Sequence, residues 1–262
     1  MSNNTRRTAL VTGASAGLGE EFARQLAACG HDLVLVARRQ DRLEALAEEL
    51  RGDHEGIGIE VVVADLSSPY APDTIATRVA ELGLEVDYLV NNAGSAGPDL
   101  LDDRDWQQQA AFLQLMMTSV AHLCHLFAPG MCERGFGRIL NVSSVAGRIA
   151  RAGDANYGPS KAYVIALSEA LDLTLKPQGV RVSALCPGYT HTEFHAVADM
   201  LDTKAATPDL LWYEADKVVR EGLAAIERGK SVYCSGRLYR WVDPILQSVW
   251  TRPLARRAMG SR

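Results

Sequence analysis

A doubly wound α/β fold is the architecture predicted for this chain of 262 residues: one parallel β-sheet with helices on both faces, in three layers. Two observations predict it. Short runs rich in Val, Ile and Leu alternate with longer segments of helical periodicity, a rhythm that calls for parallel strands joined by helical crossovers. Those runs are apolar throughout instead of alternating with polar residues, as strands covered on both faces must be.

In chain order, "TALVTG" is a strand that leads into the helix "GEEFARQLAACG", and "HDLVLVAR" a strand that leads into "DRLEALAEELR". Next come the strand "IEVVVADL", a helix near Thr74 to Leu82, the strand "VDYLVNNAG" and a long helix from about Trp106 to Cys132. "GRILNVSS", a helix from about Asn156 to Lys176, and "VRVSALCPG" complete the regular part. After about residue 190 the rhythm is lost in "THTEFHAVADMLDTKAATPDLLWYEADK". Insertions of this kind cover the carboxyl edge of an open α/β sheet, where ligands bind. A helix from Ala215 to Arg228 and a strand from Ser231 to Ser235 close the sheet. The expected organisation is a single domain, residues 1–262, with a substrate loop at about 190–213 and a C-terminal tail at about 236–262.

With 47% hydrophobic residues the chain can bury a large core, and with a formal charge of −5 it has no basic balance suited to nucleic acid. A small-molecule partner is expected. The five cysteines are odd in number and form no C-x-x-C pair, as free thiols in a reducing compartment would. The polar start "MSNNTRR" has neither the apolar run of a secretory signal nor a membrane span, so a cytoplasmic protein is expected.

Three motifs carry chemistry. The first strand ends in "TGASAGLGE", with Gly13, Gly17 and Gly19 at the strand-to-helix turn. Glycines there let the backbone approach a pyrophosphate lying at the helix N-terminus, although a tight turn without a ligand has the same composition. The second strand ends in Ala37, Arg38 and Arg39, where a dinucleotide fold meets the adenosine ribose. Guanidinium groups suit a 2′-phosphate, which favours NADP over NAD; the alternative is the start of a solvated helix face. In the third, "SSVAGRIARAGDANYGPSKAY", Tyr157 and Lys161 are four apart on a helix and Ser144 ends the preceding strand. An ammonium beside a phenol is expected to lower its pKa toward the working pH. Taken alone, such a pair reads more readily as surface polar residues.

In combination, "TGASAGLG", "NNAG", "NVSS", "YGPSK" and "CPGYTHT" occur in an order and spacing that resemble the short-chain dehydrogenase/reductase family, over roughly residues 6 to 235. The resemblance implies a Rossmann-type fold and an NADP(H)-dependent oxidoreductase that interconverts a carbonyl and a secondary alcohol on a small or medium-sized, rather apolar substrate. It implies that Gly13, Ser15, Gly17, Leu18 and Gly19 hold the cofactor phosphates and that Arg38, with Arg39 beside it, meets the 2′-phosphate. Asp65 and Leu66 would lie at the adenine, with Asp65 on its amino group, and Asn92, Ala93 and Gly94 would line the adenosine side of the cleft. Pro187, Gly188, Thr190 and Thr192 would orient the nicotinamide. Tyr157 is implied as the general acid/base, Lys161 as its pKa-lowering partner and a ribose ligand, and Ser144 as the hydrogen-bond donor to the reacting oxygen. Ser143 would support the strand end. Family members commonly pair long helices between subunits, which implies a homodimer or homotetramer.

The departure lies in "LQLMMTSVAHLC". The family has an asparagine in this helix that holds a relay water, and here that position is Met116, with no asparagine between Asn92 and Asn141. A thioether is a weak acceptor and no donor. Three routes stay open: a backbone carbonyl and water complete the relay, a side chain such as Ser119 substitutes, or catalysis weakens. The last leads to the alternative of an NADP(H)-binding regulatory or scaffold protein with little turnover. No metal is expected: His191 and His195 are four apart, but no partner set completes a shell, Glu193 falling on another face. The tail "RLYRWVDPILQSVWTRPLARRAMGSR" mixes tryptophans with arginines. Packing on its own domain or on a dimer mate is the expected role for it, and contact with a membrane surface is the less favoured one.

Overall fold

The computed structural model describes residues 6–101, 104–192, 212–251, 253 and 257. The first half alternates β1 (Thr8–Thr12), α1 (Gly17–Ala28), β2 (Asp32–Ala37), α2 (Gln40–Asp53), β3 (Ile59–Val63), α3 (Ala71–Glu81) and β4 (Val86–Asn91). It continues with α4 (Trp106–Leu113), a π-helical segment (Gln114–Thr118), α5 (Ser119–Glu133), β5 (Gly137–Val142), a 3₁₀ turn (Val145–Arg148), α6 (Tyr157–Leu175) and β6 (Val180–Cys186). Beyond these lie β7 (Tyr189–His191), β8 (Trp212–Glu214), α7 (Ala215–Glu227), β9 (Val232–Cys234) and α8 (Arg237–Gln247). Seven strands form one parallel sheet in the order β3-β2-β1-β4-β5-β6-β9, the Rossmann-type arrangement expected.

Period-two geometry explains how continuous apolar strands serve both faces. Ala9 and Val11 of β1 and Leu33 and Leu35 of β2 point into a core shared with Phe22 and Leu26 of α1, Leu43 and Leu50 of α2, and Ile226 of α7. Leu10 and Val36 point the other way, into a core with Ile75 of α3, Leu123 and Met131 of α5, and Leu171 of α6. By length and apolarity the run Trp106–Glu133 would suit a membrane span, yet its Phe112, Met116, Val120, Leu123 and Met131 are buried in the protein. A polar ladder crosses the sheet between these layers: Asn91 Nδ2 donates to Asn141 Oδ1 (2.8 Å), and Asn141 Nδ2 to Ser168 Oγ (2.9 Å). Both amide nitrogens thereby keep a partner, although Asn91 Oδ1 has none, and the pair fixes the β4–β5 register at the strand ends.

Three elements differ from expectation. Helix α3 starts at Ala71, because Pro72 sits in its first turn where proline fits. The long helix is broken by the π segment at Met116. The expected substrate loop has paired ends, β7 with β8, while residues 193–211 fall outside the described set.

The strand-to-helix turn is built on glycine contact. A Cβ on Gly19 would lie 2.2 Å from the Gly13 carbonyl oxygen, which is backbone and has no rotamer to change. Gly19→Ala is therefore expected to lower stability by about 2–3 kcal/mol. Urea unfolding would register this as a lower midpoint at unchanged slope.

Candidate active site

The sheet order reverses between β1 and β4, and the crevice at their carboxyl ends is the topological switch point. Thr12, buried at the end of β1, joins the two sides: its Oγ1 donates to Val90 O and accepts from the backbone N–H of Asn92 (3.0 Å) and Ala93 (3.1 Å). Asn92 returns the link by donating from Nδ2 to Thr12 O (3.0 Å). Gly13 follows at φ 68°, and a Cβ there would meet Asn92 Nδ2 at 2.8 Å, so the turn closes only with glycine. Thr12 is absent from the sequence-derived site, and the hydroxyl directly before the glycine turn was its signal. Leu18 packs partly buried against the first core.

At the end of β2 both arginines are exposed. Arg39 reaches back over the glycine turn, donating to Ser15 Oγ (3.0 Å) and Ser15 O (3.3 Å), so two predicted phosphate ligands already touch. Arg38 stands 3.9 Å from Asp65 Oδ2. Asp65 Oδ1 accepts from the Ser67 N–H and hydroxyl, while Leu66 is buried in the second core.

At the end of β5, Ser144 opens the 3₁₀ turn and accepts from Ala146 N (3.1 Å). Gly147 seats that turn on α6, since a Cβ would lie 2.6 Å from the Lys161 carbonyl carbon. Ser143 Oγ donates to Lys161 O (2.8 Å), the supporting role expected of it. Lys161 is buried and its Nζ donates to Val142 O (2.9 Å), 5.7 Å from the centroid of the Tyr157 ring. Burial lowers its pKa to about 8. Tyr157 departs from expectation: burial raises its phenol to about 12, a hydrogen bond with Ser144 lowers it in part, and the Asp154 charge raises it further. Desolvation thus outweighs the Ser144 hydrogen bond, and the phenol holds its proton at neutral pH.

Asn156 and Gln109 were not among the predicted residues, and nothing in their local sequence marks them. Asn156, buried beside Tyr157, donates to Gln109 Oε1 (2.5 Å) and Pro98 O (3.3 Å); Gln109 donates to Asp99 O (3.0 Å). This ties the loop after β4 to the start of α6. The "PGYTHT" run is held from both ends: Thr190 Oγ1 donates to Gly188 O (3.1 Å), and Thr192 lies where a Gly17 Cβ would meet it at 3.2 Å. The ring of Tyr239, on α8, covers Gly188 so closely that a Cβ would stand 1.9 Å from it. His191 stacks on Trp212 (5.0 Å) and lies 4.0 Å from Glu214, while His195 and Glu193 fall outside the described residues. Among the described residues no cluster of three metal-ligating side chains occurs.

Met116 is 1% exposed and its Sδ accepts from Ser95 N (3.4 Å), beside Gly94. It is core filler that also pins the loop after β4. Ser119 donates its proton to Leu115 O (2.7 Å), so its hydroxyl is already engaged within the helix.

A dinucleotide fits this edge. A positive-φ glycine turn lies at the N-terminus of α1, Gly94 leaves the loop after β4 without a side chain, and two exposed arginines stand at the end of β2. Lys161 also gives a stability test. Its folded pKa lies below its ordinary 10.5, so the unfolded chain binds more protons between pH 8 and 10.5, and wild-type stability rises through that window. Below pH 8 the buried charge costs about 3 kcal/mol. Lys161→Met, which also loses the bond to Val142 O, is expected to be about 2 kcal/mol more stable at pH 7. Thermal melts from pH 7 to pH 10.5 should show that advantage shrinking.

The comparisons with known proteins agree with this geometry. A sequence profile of the short chain dehydrogenase family matches residues 7–200. Sulfoacetaldehyde reductase 2 of Chromohalobacter salexigens is 33% identical over 219 residues, 83% of this chain and 85% of the relative. Acetoacetyl-CoA reductase of Rhizobium meliloti is 37% identical over 189 residues, 71% and 75% of the two chains. Among solved structures, a short-chain dehydrogenase from Sphingobium yanoikuyae in complex with NADPH superposes with TM-score 0.81 at 33% identity, covering 95% of each chain. With its glycine turn, its Ser144, Tyr157 and Lys161 and its sheet order in place, this chain belongs to the short-chain dehydrogenase/reductase family of oxidoreductases.

Proposed function

We propose that the chain is an NADP(H)-dependent reductase, a single cofactor-binding and catalytic domain over residues 1–262 that turns a small or medium-sized apolar ketone or aldehyde into its alcohol. The observation that carries this reading is the half-buried Tyr157 phenol, held in its acid form beside Ser144 with Lys161 four residues on. A phenol that keeps its proton at neutral pH can donate it to a carbonyl oxygen, the proton transfer that reduction requires. Ser144 would hold that oxygen, and a hydrogen bond between Ser144 and Tyr157 keeps the two hydroxyls together. Arg38 and Arg39 would hold a 2′-phosphate, Gly13 to Gly19 the pyrophosphate, and Lys161 the nicotinamide ribose, with hydride supplied from the nicotinamide.

An apolar substrate is supported by the aromatic side chains near Gly188, where Tyr189 lies 5.2 Å from Trp212 and Tyr213 lies 6.0 Å from Tyr239. The names of two relatives, both reductases of carbonyl compounds, and the NADPH bound by the Sphingobium yanoikuyae protein support the direction and the cofactor. A cytoplasmic setting is supported by the free thiols. Pairing of subunits through α5 and α6 is supported by the apolar groove between them, lined by Ala121, Pro129, Leu167 and Leu171.

Tyr157→Phe is the test. It removes the proton donor and leaves the glycine turn and both arginines, so turnover with ketones or aldehydes should fall about 10²–10⁴-fold while the NADPH dissociation constant changes by less than about threefold. Full activity in this variant would remove Tyr157 from the chemistry.

A further inference from the structure

Amphipathic helices at the surface of a globular protein turn their apolar stripe inward. Helix α8 does the reverse. Its polar side is fastened to the body: Asp243 accepts two hydrogen bonds from the Arg148 guanidinium (2.7 and 2.8 Å), and Arg240 donates to Glu221 (2.9 Å) and to the Tyr233 hydroxyl (2.6 Å). Gln247 donates to the Arg148 carbonyl, and Tyr239 lies over Gly188. Leu238, Trp241, Val242 and Ile245, spaced i, i+3, i+4 and i+7, face outward, followed by Val249 and Trp250 in the next turn. Trp241 is 78% exposed, Ile245 57%, Val249 78% and Trp250 85%. A continuous apolar stripe of this kind, held outward by ion pairs, marks a contact surface.

Charge identifies what it contacts. Residues 236–262 carry six arginines (237, 240, 252, 256, 257 and 262), of which Arg240 is paired inward with Glu221, against one acid, Asp243, in a chain whose formal charge is −5. A second copy meeting the stripe across a two-fold axis would set these basic tails against each other. An anionic bilayer meets both properties, with acyl chains for the stripe and lipid phosphates for the arginines. Tryptophan, at positions 241 and 250, is the side chain that settles at the level of the headgroups. We propose that the outward stripe of α8 and the turn after it form a docking face for an anionic membrane surface. The face adjoins the site: α8 packs on the 3₁₀ turn that follows Ser144 and covers Gly188, so docking sets the carboxyl edge of the sheet beside the bilayer, where an apolar carbonyl compound is concentrated.

The test is co-sedimentation of the full chain with vesicles of phosphatidylcholine, with and without phosphatidylglycerol, alongside light scattering of the free protein. Wild type should pellet with the phosphatidylglycerol vesicles and detach as salt is raised. The double variant Trp241→Ser/Ile245→Ser should bind roughly tenfold less or weaker, with its thermal transition and its mass in solution unchanged. Val249→Ser/Trp250→Ser, beyond the helix, should give a loss in the same direction by an independent pair. Wild type remaining in the supernatant with both vesicle types overturns the proposal, as does equal binding to uncharged vesicles. A drop in oligomeric mass in either double variant also overturns it, by assigning the stripe to a second copy. None of these readouts depends on turnover, so they stand apart from the test of Tyr157.

Discussion

A charge buried at the end of β5 organises the site. Lys161 reaches the interior with one carbonyl, Val142 O, to receive its ammonium, and burial draws its pKa down to about 8. Holding it there needs a rigid frame: Ser143 bonds the lysine's own carbonyl, and Gly147 allows the 3₁₀ turn to lie directly on the helix backbone. Ser144 and Tyr157 are fixed by the same frame, since one opens that turn and the other opens α6. The stability given up to a buried cation is the cost of fixing three functional groups at once, a trade common where pKa values are shifted by burial.

The cofactor side rests on a second frame, with Thr12 as its hub. One hydroxyl binds both strands at the switch point, and the glycines that follow are demanded by the backbone itself, because Gly13 and Gly19 touch. The glycine turn is therefore explained twice, by packing and by its suitability for phosphate, and its composition alone could not separate the two. The arginines differ in this respect. Arg39 already lies on Ser15, which joins the end of β2 to the glycine turn without any packing requirement.

Much of this was legible because a parallel sheet writes itself as continuous apolar runs, and because its ligands gather where the strands end. The expected strands and helices correspond to observed elements, and Ser144, Tyr157 and Lys161 come together as their spacing implied. Long-range contacts between polar side chains were not legible. Gln109 and Asn156 are 47 residues apart, and only the fold brings them into one network. The direction of the Tyr157 shift was also hidden, because burial depends on the packed surroundings and not on the four-residue spacing to lysine. Met116 reads equally as filler and as a lost amide until its sulfur is seen against Ser95. The tail showed its amphipathic composition, but which side faces outward was set by Arg148 and Glu221, far away in the chain.

Catalysis at this site would proceed with methionine where a relay amide is usual. Its most direct test follows the nicotinamide fluorescence of the wild-type protein with NADPH and NADH in turn, then adds a panel of apolar ketones and aldehydes in the same cuvette. Preferential binding of NADPH, with its oxidation on at least one panel member, is the predicted result. Tight NADPH binding without turnover on any member would contradict the catalytic claim and favour a binding role, and no binding of either nucleotide would contradict the reading of the glycine turn and the two arginines.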